Sequence, residues 1–166
     1  MTDTDTTREN MEHAIKSIIN NRGDISATTA FILDTLPEVE ILAQELREAH
    51  VAADHATRAA QNANIPFHAT LRPAWYLSKP VREADSGKME SILHDYVNSV
   101  GSSRVNARND LVELKRQMLA YTNPSDSWII EALFAYALTA ARAAATEGAA
   151  TRDVLAIESE LEALIG

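Results

Sequence analysis

Apolar side chains recur along this chain at spacings of three and four, with none of the β-branched alternation that marks a half-buried strand. The longest run is Val39, Leu42, Leu46, Ala49, Ala53, Ala56, Ala60 and Ala63, an unbroken seam of the kind that forms one packing edge of a helix. Its second half is all alanine, which buries little area but lets a partner backbone approach toward the low end of the roughly 8–10 Å interaxial range. Pro37 suits the first turn of this helix, and Glu38 and Glu40 complement the positive end of its dipole.

Shorter stripes lie on either side. Thr6 and Glu9 have capping-box spacing ahead of a first helix, about Thr7 to Asn20, with Met11, Ile15, Ile18 and Ile19 on one face. Asn21-Arg22-Gly23-Asp24 breaks it, with Gly23 suited to the left-handed C′ position. Ser26 can cap a second helix to Leu36, whose Ala27, Ala30, Phe31, Ile32, Leu33 and Leu36 leave little polar face. Further helices are predicted over Ser86 to Ser99 (Met89, Ile92, Leu93, Tyr96, then Val100), Ser103 to Tyr121 (Ala107, Leu111, Leu114, Met118, Tyr121), Pro124 to Gly148, and Thr151 to Ile165 (Val154, Ile157, Leu161, Leu164). The Pro124–Gly148 helix turns alanine-rich after Phe134, and its Ala137, Ala140, Ala141 and Ala144 are matched in character to the Ala49–Ala63 stretch, so the two are expected to pack together.

Pro66, Pro73 and Pro80 interrupt the segment 64–88, which is expected to hold at most short helical turns. The pattern therefore predicts an all-α fold, a multi-helix bundle of about six to seven helices with one long central helix and one proline-punctuated irregular segment, forming a single domain over residues 1–166.

Composition narrows the chemistry. The chain has no cysteine, which removes thiolate nucleophiles, cysteine-ligated zinc and iron–sulfur clusters. There is no basic start followed by an apolar stretch at the N-terminus and no run read as a membrane span, so the expected location is cytoplasmic, away from membranes. The net charge of −9 disfavours nucleic-acid binding through the whole surface. The charge is uneven, however. Residues 65–123 carry 8 basic and 6 acidic side chains, against 5 and 11 in residues 1–64 and 2 and 7 in residues 124–166. Any anion-facing surface is expected from that middle third.

Within it, Phe67, His68, Arg72, Trp75, Tyr76, Lys79 and Arg82 interleave aromatic rings with cations, a mixture that suits a partner hot spot or an anionic ligand, and equally a strap that plugs the core with its rings. Arg104, Arg108, Lys115 and Arg116 form a second cationic group on the Ser103–Tyr121 helix. The partner or anion-binding candidates are thus Arg72, Trp75, Tyr76, Lys79, Arg82, Arg104 and Arg108.

His68, the doublet His94-Asp95 and Asp110 are the metal candidates; together they resemble the metal set of HD-type phosphohydrolases. That resemblance, carried by four residues, implies a metal-bound hydroxide acting on phosphate esters. Ferritin-like Glu-x-x-His pairs are absent, and His50 with Asp54 has the spacing of a helix-surface pair. Arg22-Gly23-Asp24 spells an integrin-binding tripeptide, yet each residue suits a turn between helices. No other catalytic or cofactor signature stands out, and no cofactor is expected. The favoured reading is a non-enzymatic interaction or assembly protein that associates with itself or another protein. The alternatives are a structural subunit assembling on nucleic acid through its middle cations, and a metal-dependent HD-like phosphohydrolase.

Overall fold

The computed structural model describes residues 3–26, 37–78, 86–98 and 103–166, with side chains at 3–5, 86, 103 and 104 outside that description. Among the described residues are five α-helices and no strand: α1 Asp3–Asn20, α2 Pro37–Leu77, α3 Ser86–Asn98, α4 Ser103–Tyr121 and α5 Ser127–Ala163. A short 3-10 helix, Pro124–Asp126, precedes α5. The all-α class holds. The helix expected up to Leu36 lies outside the described residues from 27 onward. The chain divides into two compact units, Met1–His55 with Gly148–Gly166, and Ala56–Glu147.

The first unit is built on the predicted stripes. Ile15 and Ile18 of α1, Val39, Ala43 and Leu46 of α2, and Val154 and Leu161 of α5 form its buried core, with Leu42, Ala49, Ala53 and Ile157 packed against it. Helix α1 begins at Asp3, so Thr6 lies inside the helix and does not cap it. Its end is a Schellman turn: the Gly23 amide donates to the Ile18 carbonyl (2.8 Å) and the Arg22 amide to the Ile19 carbonyl (3.1 Å). The left-handed C′ residue is therefore Arg22, at φ 57°, and not Gly23, which follows at φ 90°. Glycine is needed one position later because the turn presses on α2. A Cβ at Gly23 would overlap the Ala43 carbonyl oxygen and stand 2.7 Å from the Arg47 amide nitrogen. Arg22 in turn reaches Asp54 of α2 at 2.6 Å. The Arg-Gly-Asp tripeptide is thus a helix-ending turn.

The second unit is organised around Phe67, Leu71 and Ala74 of α2, Leu93, Tyr96 and Val97 of α3, Leu111, Leu114 and Met118 of α4, and Ile130, Leu133, Phe134 and Ala137 of α5. Here the expected irregular segment is corrected: α2 runs through Pro66 and Pro73 to Leu77. An interior proline costs about 3 kcal/mol, by losing one amide hydrogen bond and crowding the preceding turn. Ala60, Ala63, Phe67, Leu71 and Ala74 nevertheless carry the helical seam past both prolines at spacings of 3, 4, 4 and 3. Phe67 and Ala74 are fully buried and Leu71 nearly so, and burying a Phe or Leu side chain stabilises by about 1.5–3 kcal/mol. Ala63 packs against the cluster that holds Ala137, Ala140 and Ala141, where the two alanine-rich stretches were expected to meet. Thr57 of α2 also donates to Glu147 of α5 at 3.1 Å.

A second correction concerns the end of the chain, where the two helices expected to break at Gly148 are one helix, α5. A single interior glycine costs about 1 kcal/mol, and alanines at 143–145 and 149–150 favour helix on both sides. Two expected core positions also fail: Tyr121 is 65% and Leu164 36% exposed. Contrary to the sequence reading, the stretch Pro124–Ala163 is long and apolar enough to cross a membrane by length and composition, with 33% of its apolar window buried. Its Ile130, Leu133 and Phe134 belong to the second core.

Candidate functional site

Helices α4 and α5 are joined by the short turn 122–126, and so short a connection makes neighbouring helices antiparallel. The turn is held by Thr122, whose buried hydroxyl donates back to the Met118 carbonyl (2.6 Å), and by the Asp126 amide donating to the Asn123 carbonyl (2.8 Å). Lys115 of α4 bridges to Glu131 of α5 at 2.7 Å and lies 6.0 Å above the Phe134 ring. This pairing sets the register. It places Arg108 opposite Leu138 and Val112 opposite Phe134, with Arg142 about one turn beyond Leu138, and Tyr121 beside the turn that leads to Trp128.

Two features of this hairpin are exposed. Near the turn, Tyr121 and Trp128 are 65% and 66% exposed, with Tyr136 at 38%. Farther along lies a groove of ≈ 810 Å³ lined by Tyr96 of α3, by Val105, Arg108, Asn109, Leu111, Val112 and Lys115 of α4, and by Phe134, Leu138 and Arg142 of α5. Leu111, Tyr96 and Phe134 are nearly buried and form its floor, whereas Val105 and Val112 stand exposed on its wall. Its lining holds three cations and no carboxylate.

The other candidates are sorted by helix α2. Because residues 64–77 are helical, Phe67, Leu71 and Ala74 turn inward while His68, Arg72 and Tyr76 share the exposed face at spacings of four. Trp75 packs partly against the core, its ring 4.7 Å from that of Tyr76. The Arg72 guanidinium is 5.8 Å from the Tyr76 ring centroid, and a hydrogen bond to Tyr76 raises its pKa. The segment therefore both plugs the core and presents a small cationic aromatic face. Lys79 and Arg82 lie outside the described residues, as does the side chain of Arg104. Arg108 belongs to the groove and not to the Arg72 cluster.

The four metal candidates do not assemble. His68 and His94 do meet, with ring centroids 5.5 Å apart and each ring beside Phe67 at 5.2 and 5.9 Å. Asp95 and Asp110 are exposed, and among the described residues no three His, Cys, Asp or Glu side chains converge. Helical geometry is the reason: successive residues are about 100° apart around the axis, so a His94 turned toward Phe67 carries Asp95 away. In the first unit His50 Nε2 lies 3.8 Å from Glu158, and Asp54 takes Arg22.

Arg116 forms a two-pronged bond to Glu113 at 2.9 and 2.5 Å, and Gln117 adds a third at 3.1 Å. The Arg116 bond first, then that of Gln117, hold the Glu113 carboxyl down at about 2. The sequence analysis missed Arg142, Asn109, Leu138 and Tyr96 as members of a site. The signal was the short 122–126 turn: folding α5 back on α4 brings the isolated Arg142 to the Arg108 end.

No known protein family, curated protein or solved structure matches this chain.

Proposed function

We propose that this chain is a non-enzymatic helical assembly protein that associates with itself through the turn end of the α4–α5 hairpin. The observation that carries this reading is the joint exposure of Trp128 and Tyr121, at 66% and 65%, on either side of one short turn. Single exposed apolar residues are ordinary on protein surfaces. A tryptophan and a tyrosine flanking one turn, with Tyr136 beyond, have the composition of an energetic centre of an interface. Both signs of charge are carried on the same hairpin, in the pairs Lys115–Glu131 and Arg116–Glu113 and in Asp126. A rim carrying both signs is self-complementary, which suits a two-fold contact in which the same patch serves both copies.

Sedimentation or light scattering over a dilution series tests it. The expected result is a concentration-dependent oligomer whose dissociation constant rises about tenfold or more in Trp128→Ser, while circular dichroism is unchanged. A monodisperse monomer at every concentration overturns the proposal.

A further inference from the structure

We propose that the groove between α3, α4 and α5 binds a single-chain anionic amphiphile, an aliphatic body carrying a carboxylate or phosphate head. Three observations converge on this chemistry. The volume of ≈ 810 Å³ falls within the range of about 300–1,000 Å³ typical of small-molecule sites. The cations Arg108, Lys115 and Arg142 come from two helices and line one groove, in a protein whose net charge is −9. Lys115 is already engaged by Glu131 at 2.7 Å, which leaves the two guanidinium groups as the head-binding pair. Arginine matches the planar oxygens of carboxylate and phosphate with paired donors, and the Asn109 amide adds another donor.

The apolar lining decides against a bare anion. Val105 and Val112 are each 62% exposed and Leu138 37%, so aliphatic wall is open where a hydrated polyanion would offer it nothing. The aromatic members do not favour base stacking. Tyr96 and Phe134 are almost fully buried, and the Phe134 face is covered by Lys115. An aliphatic body therefore fits better than a nucleobase. The inference does not depend on self-association, because Arg108 lies thirteen residues before Tyr121, about 20 Å along α4 from the turn.

The test is calorimetric titration of the full chain with decyl phosphate and with decanoate, beside decanol and inorganic phosphate as single-feature probes. At least one of the two amphiphiles is expected to bind at one site per chain, weakening as salt is raised; the stronger arm tells phosphate from carboxylate. Decanol and inorganic phosphate are expected to bind about tenfold more weakly or worse. The double variant R108Q/R142Q is expected to lose about tenfold or more in affinity. Val112→Glu should weaken the amphiphile too, while Arg116→Gln, outside the groove, leaves affinity unchanged. Far-ultraviolet circular dichroism confirms that each variant is folded. The proposal is overturned if neither amphiphile binds, if R108Q/R142Q binds like the parent, if decanol binds as well as the anions, or if a thymidine oligonucleotide displaces the amphiphile as a better ligand.

Discussion

At the scale of single residues, two neighbours at the end of α1 divide one task. Arg22 takes the left-handed conformation and spends its side chain on Asp54, while Gly23 supplies the space that lets the turn lie against α2. Gly23→Ala is therefore expected to destabilise by about 2 kcal/mol or more, since the positive φ and the overlap act together; a denaturant titration measures it. Glu113 is the clearest pH-dependent residue. Its carboxyl is held at about 2 against an ordinary 4.5, so the folded state favours the ionised form. The resulting stabilisation is complete above about pH 4.5 and is lost as the pH falls through about 2. Following the Glu113 carboxyl carbon by NMR should show that low midpoint, and Arg116→Gln should move it back toward the ordinary range.

At the scale of elements, the two long helices each contain residues that usually end helices. Pro73 is exposed within α2, so Pro73→Ala is expected to restore a hydrogen-bonding amide and raise stability by up to about 3 kcal/mol. Gly148 in α5 has open space where a side chain would go, the nearest atom being Arg152 Nη1 at 3.7 Å. Gly148→Ala should raise stability by about 0.5–1 kcal/mol, visible as a higher melting temperature. These two positions also show what was legible in the sequence. The stripes Val39–Ala63 and Ala107–Met118 read correctly, because an apolar period of 3.6 is imposed by burial itself. The breaks were misread because proline and glycine are local penalties of a few kcal/mol at most, which a continuing buried seam outweighs. Phe67, Leu71 and Ala74 were in plain view as that continuation. The groove was less legible, because Arg142 acquires its neighbours only when the 122–126 turn folds α5 back on α4.

At the scale of the whole molecule, most buried apolar residues among the described ones fall in two clusters, one in each unit. Leu46 is fully buried in the first and Leu133 in the second, and replacing either by alanine should cost about 2–5 kcal/mol. Hydrogen exchange separates the two effects. Leu46→Ala is expected to lower protection chiefly in residues 1–55 and 148–166, and Leu133→Ala chiefly in residues 56–147, the bounds of the two units. Equal loss of protection across the whole chain in both variants would show that the two cores melt as one.

The nesting of one unit inside the other in sequence, with residues 56–147 falling between 1–55 and 148–166, imposes an order on biosynthesis. A ribosome completes every residue of the inner core by Glu147. The outer core still lacks Val154 and Leu161 at that moment, so Ile15, Ile18 and Leu46 wait with one wall open until Leu161 has emerged. The apolar surface of Ile15, Ile18 and Leu46 is thus open to a chaperone for longer than that of the inner core, and it closes only after Leu161 has been made.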